Sequence, residues 1–133
     1  MGTSDVFAFE TTIAGEGDGF PRIINARTAG KAKAERWRDL REVGDFPFTC
    51  LRVRKIGTAY TSPEFARNAH YRGMPAVRCG QRVKVEHCPG TIVGHNSSAN
   101  FDVLFDDDAP QYAGLTLNVH PGSVELIDVK AAS

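Results

Sequence analysis

Cysteine is scarce and badly spaced for any of its usual tasks. The 133-residue chain has three, Cys50, Cys79 and Cys88. An odd number with no Cys-x-x-Cys argues against a disulfide framework and a structural zinc site. Long apolar runs are missing, so no segment reaches the ~20 residues of a membrane-spanning helix. The first residues have neither the basic nor the apolar stretch of a secretory leader, which points to a cytoplasmic chain beginning at Met1. Nucleophile motifs are missing as well. No Gly-x-Ser-x-Gly elbow occurs, Ser97 and Ser98 fall in an expected turn, and Cys50 stands on an expected strand with no motif around it. Gly30-Lys31 lacks both the glycine spacing and the following Ser/Thr of a phosphate loop. The chain is therefore expected to be no enzyme and to hold no cofactor.

What is present is ordinary in bulk and uneven in distribution. Apolar residues make up 41% and charged residues 24%, which excludes wholesale disorder and fibrous architectures and allows one core-forming domain or two very small ones. The 16 Lys+Arg and 16 Asp+Glu cancel overall, but not locally. Residues 1–76 hold 12 basic and 9 acidic side chains, and residues 77–133 hold 4 and 7. Between Arg22 and Lys55 ten cations face four acids, a concentrated positive field inside a neutral chain. Gly73, Pro75 and Gly80 punctuate the change in character. The expected organisation is a basic unit over 1–76, a second unit over 77–129 and a tail over 130–133.

The first unit reads as a small α/β arrangement. Apolar runs at 6–10 and 20–25 have strand length and flank an acidic, glycine-rich loop at 15–19. Thr28 is a suitable N-cap for a helix running to about residue 43, where Gly44 stops it. Projected at about 100° per residue, Ala29, Ala32, Trp37, Leu40 and Val43 share one stripe, expected to face the core. Lys31, Arg38 and Arg41 then point outward among Glu35 and Glu42, with Lys33 and Arg36 flanking the stripe. Residues 49–56 alternate as a half-buried strand, with Leu51 and Val53 on one face and Cys50, Arg52, Arg54 and Ile56 on the other. Ser62-Pro63-Glu64 opens a second, short helix that ends before Gly73 and turns Phe65, Ala69 and Tyr71 inward.

After Gly80 the period changes to two. Strands are expected at 82–87, 91–95, 101–106, 115–120 and 123–127, separated by turn signals at Pro89-Gly90, 96–100, 107–110 and Pro121-Gly122. Short strands so regularly punctuated argue for a small antiparallel barrel. The stretch from Gly80 to Gly94, continued by Phe101-Asp-Val-Leu-Phe-Asp106, resembles the first strands of SH3-like small barrels, including the KOW modules of translation and transcription factors. That resemblance covers about residues 77–128 and implies a five-stranded antiparallel barrel. The chain as a whole, with Ala26-Arg-Thr-Ala-Gly-Lys-Ala-Lys33 and Asn118-Val-His-Pro121, resembles small bacteriophage and prophage proteins. The expected fold class is thus α+β, a basic unit with one amphipathic and one short helix followed by an SH3-like barrel.

Two binding chemistries remain open at this point. Lys31, Lys33, Arg38, Arg41, Arg52 and Arg54 supply the cations that a nucleic-acid backbone requires on one surface. The bland alternative is a solvated helix face with pairs such as Lys31–Glu35 and Arg38–Glu42. The competing partner is a host protein or nucleoprotein complex, met by an inhibitor or adaptor such as an anti-defence factor. Asp106, Asp107 and Asp108 read as a solvated turn or, alternatively, as a mimic of nucleic-acid charge. His70, His87, His95 and His120 include no i, i+4 pair, and adjacent His87 and Cys88 point to opposite faces of a strand, so no metal is expected. With no assembled nucleophile, base and oxyanion donor, hydrolase and nuclease screens should be silent. Metal-dependent turnover abolished by a His→Ala substitution would contradict this expectation.

Overall fold

A computed structural model describes residues 5–13, 21–42, 44, 48–109 and 111–127. The protein is α+β. Its chain divides into two compact units, one spanning Val6–Tyr60 and the other joining the residues from Thr61 onward with Asp5. The second helix, which sequence punctuation groups with residues 1–76, thus belongs with the C-terminal sheet. The acidic loop at 15–19, Val43 and the tail at 130–133 lie outside the described residues.

In the first unit, β1 (Phe7–Ile13), β2 (Arg22–Ala26) and β3 (Leu51–Thr58) form an antiparallel sheet in the order β2-β1-β3. The helix α1 (Ala29–Arg41) packs on one face of it. Thr28 caps α1 as expected, its hydroxyl accepting from the Lys31 N–H at 3.2 Å. The buried stripe is narrower than the periodicity implies. Only Ala32, Arg36 and Leu40 are buried, one side chain per turn, while Ala29 is exposed and Trp37 is half-buried. The sheet explains this selection, because every second residue of β1 meets the helix. Phe9 gathers with Ile24, Ala26 and Ala32, and Ile13 gathers with Leu40 and Leu51. Between them β1 presents Thr11, and α1 presents Arg36.

Arg36 was expected to flank the stripe, yet it is 5% exposed. Its guanidinium donates to the Thr11 hydroxyl at 3.4 Å, and that hydroxyl donates to the Arg22 carbonyl at 2.9 Å. Burial and the neighbouring Arg22 cation lower the Arg36 pKa, and Asp39 opposes them. Arg36 nonetheless remains charged at neutral pH, given how far its ordinary value lies above it.

In the second unit, α2 (Pro63–Tyr71) starts as expected, with the Ser62 hydroxyl accepting from the Phe65 N–H at 3.0 Å and Pro63 in the first turn. Phe65 stacks on Phe101 at 5.5 Å between ring centroids, and Ala69 is buried. Tyr71 does not turn inward. It lies at the last turn, off the Phe65–Ala69 line, and is 78% exposed. The strands β4 (Arg82–Val85), β5 (Cys88–His95), β6 (Phe101–Phe105), β7 (Thr116–Val119) and β8 (Glu125–Leu126) form one antiparallel sheet in the order β7-β6-β5-β4-β8. All five expected strands occur, but the sheet is not closed into a barrel. β7 and β8 are its two edges and do not pair with each other.

The first hairpin also turns elsewhere than expected. Val85 pairs with Cys88, so the tip is Glu86-His87, both at positive φ (50° and 72°), the conformation that a two-residue hairpin demands. Pro89 and Gly90 lie within β5. Gly90 is needed there because a Cβ would sit 2.8 Å from Val103 Cγ1 and 2.9 Å from the Leu104 carbonyl oxygen. Proline is tolerated because the ladder to β6 begins only at Gly90, and the Pro89 carbonyl still accepts from the Asp106 N–H at 3.0 Å. Asp106 in turn holds Arg82 through two hydrogen bonds of 2.7 and 2.6 Å, with Thr91 accepting from the same guanidinium at 2.8 Å. Hydrogen bonding to Asp106 raises the Arg82 pKa despite partial burial. A raised pKa means that this contribution is lost only as pH climbs through the arginine range, so the pair holds at neutral pH.

Three substitutions at two positions test these assignments by unfolding midpoint. Gly90→Ala should destabilise the protein by about 1–3 kcal/mol, the cost of forcing a methyl into a filled site. Arg36→Ala should cost about 2–5 kcal/mol by emptying its site, whereas Arg36→Met, which keeps the volume and removes the charge, should stay within about 1.5 kcal/mol of the parent.

Candidate nucleic-acid interface

The narrow buried stripe of α1 leaves two flanks and a crest. At about 100° per residue, Lys33, Trp37 and Arg41 follow one another down one flank, Glu35, Asp39 and Glu42 line the opposite flank, and Lys31 and Arg38 stand on the crest between them. The acidic flank faces β2. Asp39 meets the exposed Arg22 side chain of that strand at 2.7 Å. The basic flank faces the start of β3, where residues Phe48–Cys50 form a single 3-10 turn.

That turn completes a cluster of alternating cations and rings. Phe48 is 40% exposed and meets Trp37 edge to face, with centroids 5.6 Å apart and planes at 86°. The Lys33 ammonium lies 4.5 Å from the Phe48 centroid, and the Arg41 guanidinium lies 4.8 Å from Trp37. Four residues from two segments thus share one surface, with a positive charge at each end. Trp37 also packs against the Ile13, Leu40 and Leu51 group, which anchors it from below. Lys55, on the same side of the sheet, lies 3.7 Å over the Phe7 ring.

The six cations expected to form one strip are divided by the sheet. Lys31, Lys33, Arg38 and Arg41 lie on α1, and all but half-buried Lys33 are exposed. Leu51 and Val53 pack toward the helix side, so alternation along β3 places Arg52 and Arg54 on the other face. There Arg54 pairs with Glu10 at 2.7 Å. Cys50, expected on that far face, instead belongs to the 3-10 turn and packs beside Leu51. Sequence reasoning assigned Trp37 to the core and did not single out Phe48. The available signal was the i, i+4, i+8 spacing of Lys33, Trp37 and Arg41, which marks a helix flank of their own.

Among the described residues no group of three or more His, Cys, Asp or Glu side chains is placed to hold a metal ion. Cys79 and Cys88 are buried and Cys50 is half-buried, all three as free thiols. His95 packs edge-on against Phe65, and His120 caps the 3-10 turn at Pro121–Ser123, its Nδ1 accepting from the Gly122 N–H at 2.9 Å. No helix among the described residues is long and apolar enough to cross a membrane. Comparison with protein-family models, with curated proteins and with solved structures finds no match to this chain.

Proposed function

We propose that the protein is a non-enzymatic binding module that engages nucleic acid through the exposed side of α1. The observation that carries this reading is the segregation of charge on the helix. Lys31, Lys33, Arg38 and Arg41 occupy the crest and one flank, the acids are confined to the other flank, and Asp39 there is turned to Arg22. Phosphate contacts require several cations on one surface, and each contact releases counterions. Arg52 and Arg54 belong to a different surface and are secondary in this scheme. The strand order, with β8 returned to the free side of β4, is the basis for reading the second unit as an open sheet of SH3-like winding. In the phage or prophage setting proposed for the chain, the partner would be a component of the host cell.

One observation favours a protein partner instead. Tyr71, Leu115, Leu117 and Leu126 are exposed large apolar side chains in the second unit, where Asp106–Asp108 and the other acids make phosphate binding unfavourable. In that reading the module acts as an inhibitor or adaptor on a host complex, and affinity resides in a few anchoring side chains with little salt dependence.

Titration of labelled single-stranded and duplex oligonucleotides at several salt concentrations separates the two. Each phosphate contact should contribute a slope of about −0.7 to −0.9 in log affinity against log salt. Replacing Lys31 and Arg38 together by Ala should flatten that slope by about two such contacts. Replacing Arg52 and Arg54, across the sheet, should leave it unchanged. Absence of binding at low salt would remove the nucleic-acid reading in favour of a protein partner.

A further inference from the structure

The structure assigns to Lys33, Trp37, Arg41 and Phe48 the role of a base-stacking site, so that the preferred ligand is a single-stranded nucleic acid and not a duplex. This rests on the reading of α1 as a phosphate-binding surface and adds to it a reason for strand selectivity. Cations alone attract any polyanion, whereas rings discriminate by offering a surface only to an unstacked base. Phe48 is substantially exposed and Trp37 partly so, their centroids are 5.6 Å apart, and a cation covers a ring at each end of the pair. In a duplex every base face is already occupied by its neighbours. A single strand has base faces to place on the rings while its phosphates pass Lys33 and Arg41.

The cations over the rings do not obstruct this arrangement. An exposed cation on an aromatic face is held weakly, and a stacked base is held more strongly. A base therefore displaces the Lys33 ammonium from Phe48, or the Arg41 guanidinium from Trp37. Both side chains are long enough to swing from the ring to an adjacent phosphate without moving the helix. The ligand gains stacking and a charge contact together, while the free protein keeps its rings covered.

Trp37 is the sole tryptophan of the chain, so its fluorescence reports directly on this site. The probes are oligothymidylate, an abasic oligonucleotide of equal length, a duplex of equal phosphate number and inorganic polyphosphate, all at low salt. Oligothymidylate should quench Trp37 and bind more tightly than each of the other three. Phe48→Ala should weaken oligothymidylate binding by about fivefold to a hundredfold while changing the abasic affinity by less than about twofold. Phe48→Tyr should restore it. Phe48 lies on an exposed 3-10 turn, so these variants keep the fold even if Trp37→Ala does not, which a circular-dichroism spectrum checks. Equal affinity for thymidylate, abasic strand and polyphosphate would overturn the stacking site and leave α1 as a plain phosphate surface. No binding of any of the four would overturn the nucleic-acid reading itself.

Discussion

The first unit is packed around a buried arginine side chain. Its helix touches the sheet through a single file of side chains, Ala32, Arg36 and Leu40, and the middle member is an arginine. Desolvating a guanidinium is costly unless its donors find acceptors. Thr11 of the central strand supplies one, and is itself tied to the Arg22 carbonyl. Two small apolar groups sit on either side of this polar link, one around Phe9 and Ala32 and the other around Leu40 and Leu51. The Arg36 side chain fills the space between these groups, and its volume more than its charge holds the middle of the interface.

Much of the surface follows from this single-file contact. Because so little of α1 is consumed by the core, its flanks are left to other chemistry. The flank toward β2 is acidic and is met by Arg22, and the flank toward β3 is basic and aromatic and is met by Phe48. A helix buried over a broad apolar stripe would have absorbed Trp37 entirely. Here the indole lies partly in the core and partly in the cluster, so packing on one side sets the position of the ring on the other.

The second unit is built on different terms. Its helix adds Phe65 to the ring of Phe101, and its sheet is held at close quarters by the missing side chain at Gly90. Arg82 and Asp106 bridge the first strand and the end of the third by a bidentate pair, a geometry that gives both strength and direction. Arg72, at the C-terminus of α2, donates to the carbonyls of Ser98 and Ala99 and to the Asn100 side chain, fastening the β5–β6 loop.

Local rules were legible from the residues alone. Thr28 and Ser62 as helix caps, the two helices they open, the strand periods on both sides of Gly73 and the inward pair Leu51 and Val53 all depend on neighbours within a few positions. Sequence therefore determined the α+β class, the number of strands after Gly80 and the inventory of cations. What it could not determine was partnership at a distance. Arg36 is charged and reads as surface until Thr11 is placed against it, and Pro89-Gly90 reads as a turn until β6 is seen to pass within contact of Gly90. Barrel closure depends on whether β7 and β8 meet, which the alternation within each strand does not decide. Likewise six cations close in sequence become two surfaces, because a pleated strand sends Arg52 and Arg54 away from the helix that carries the other four. Tertiary structure alone decided that division, and with it the meeting of Phe48 and Trp37, since a sheet has two faces and only the packing of α1 says which one is inside.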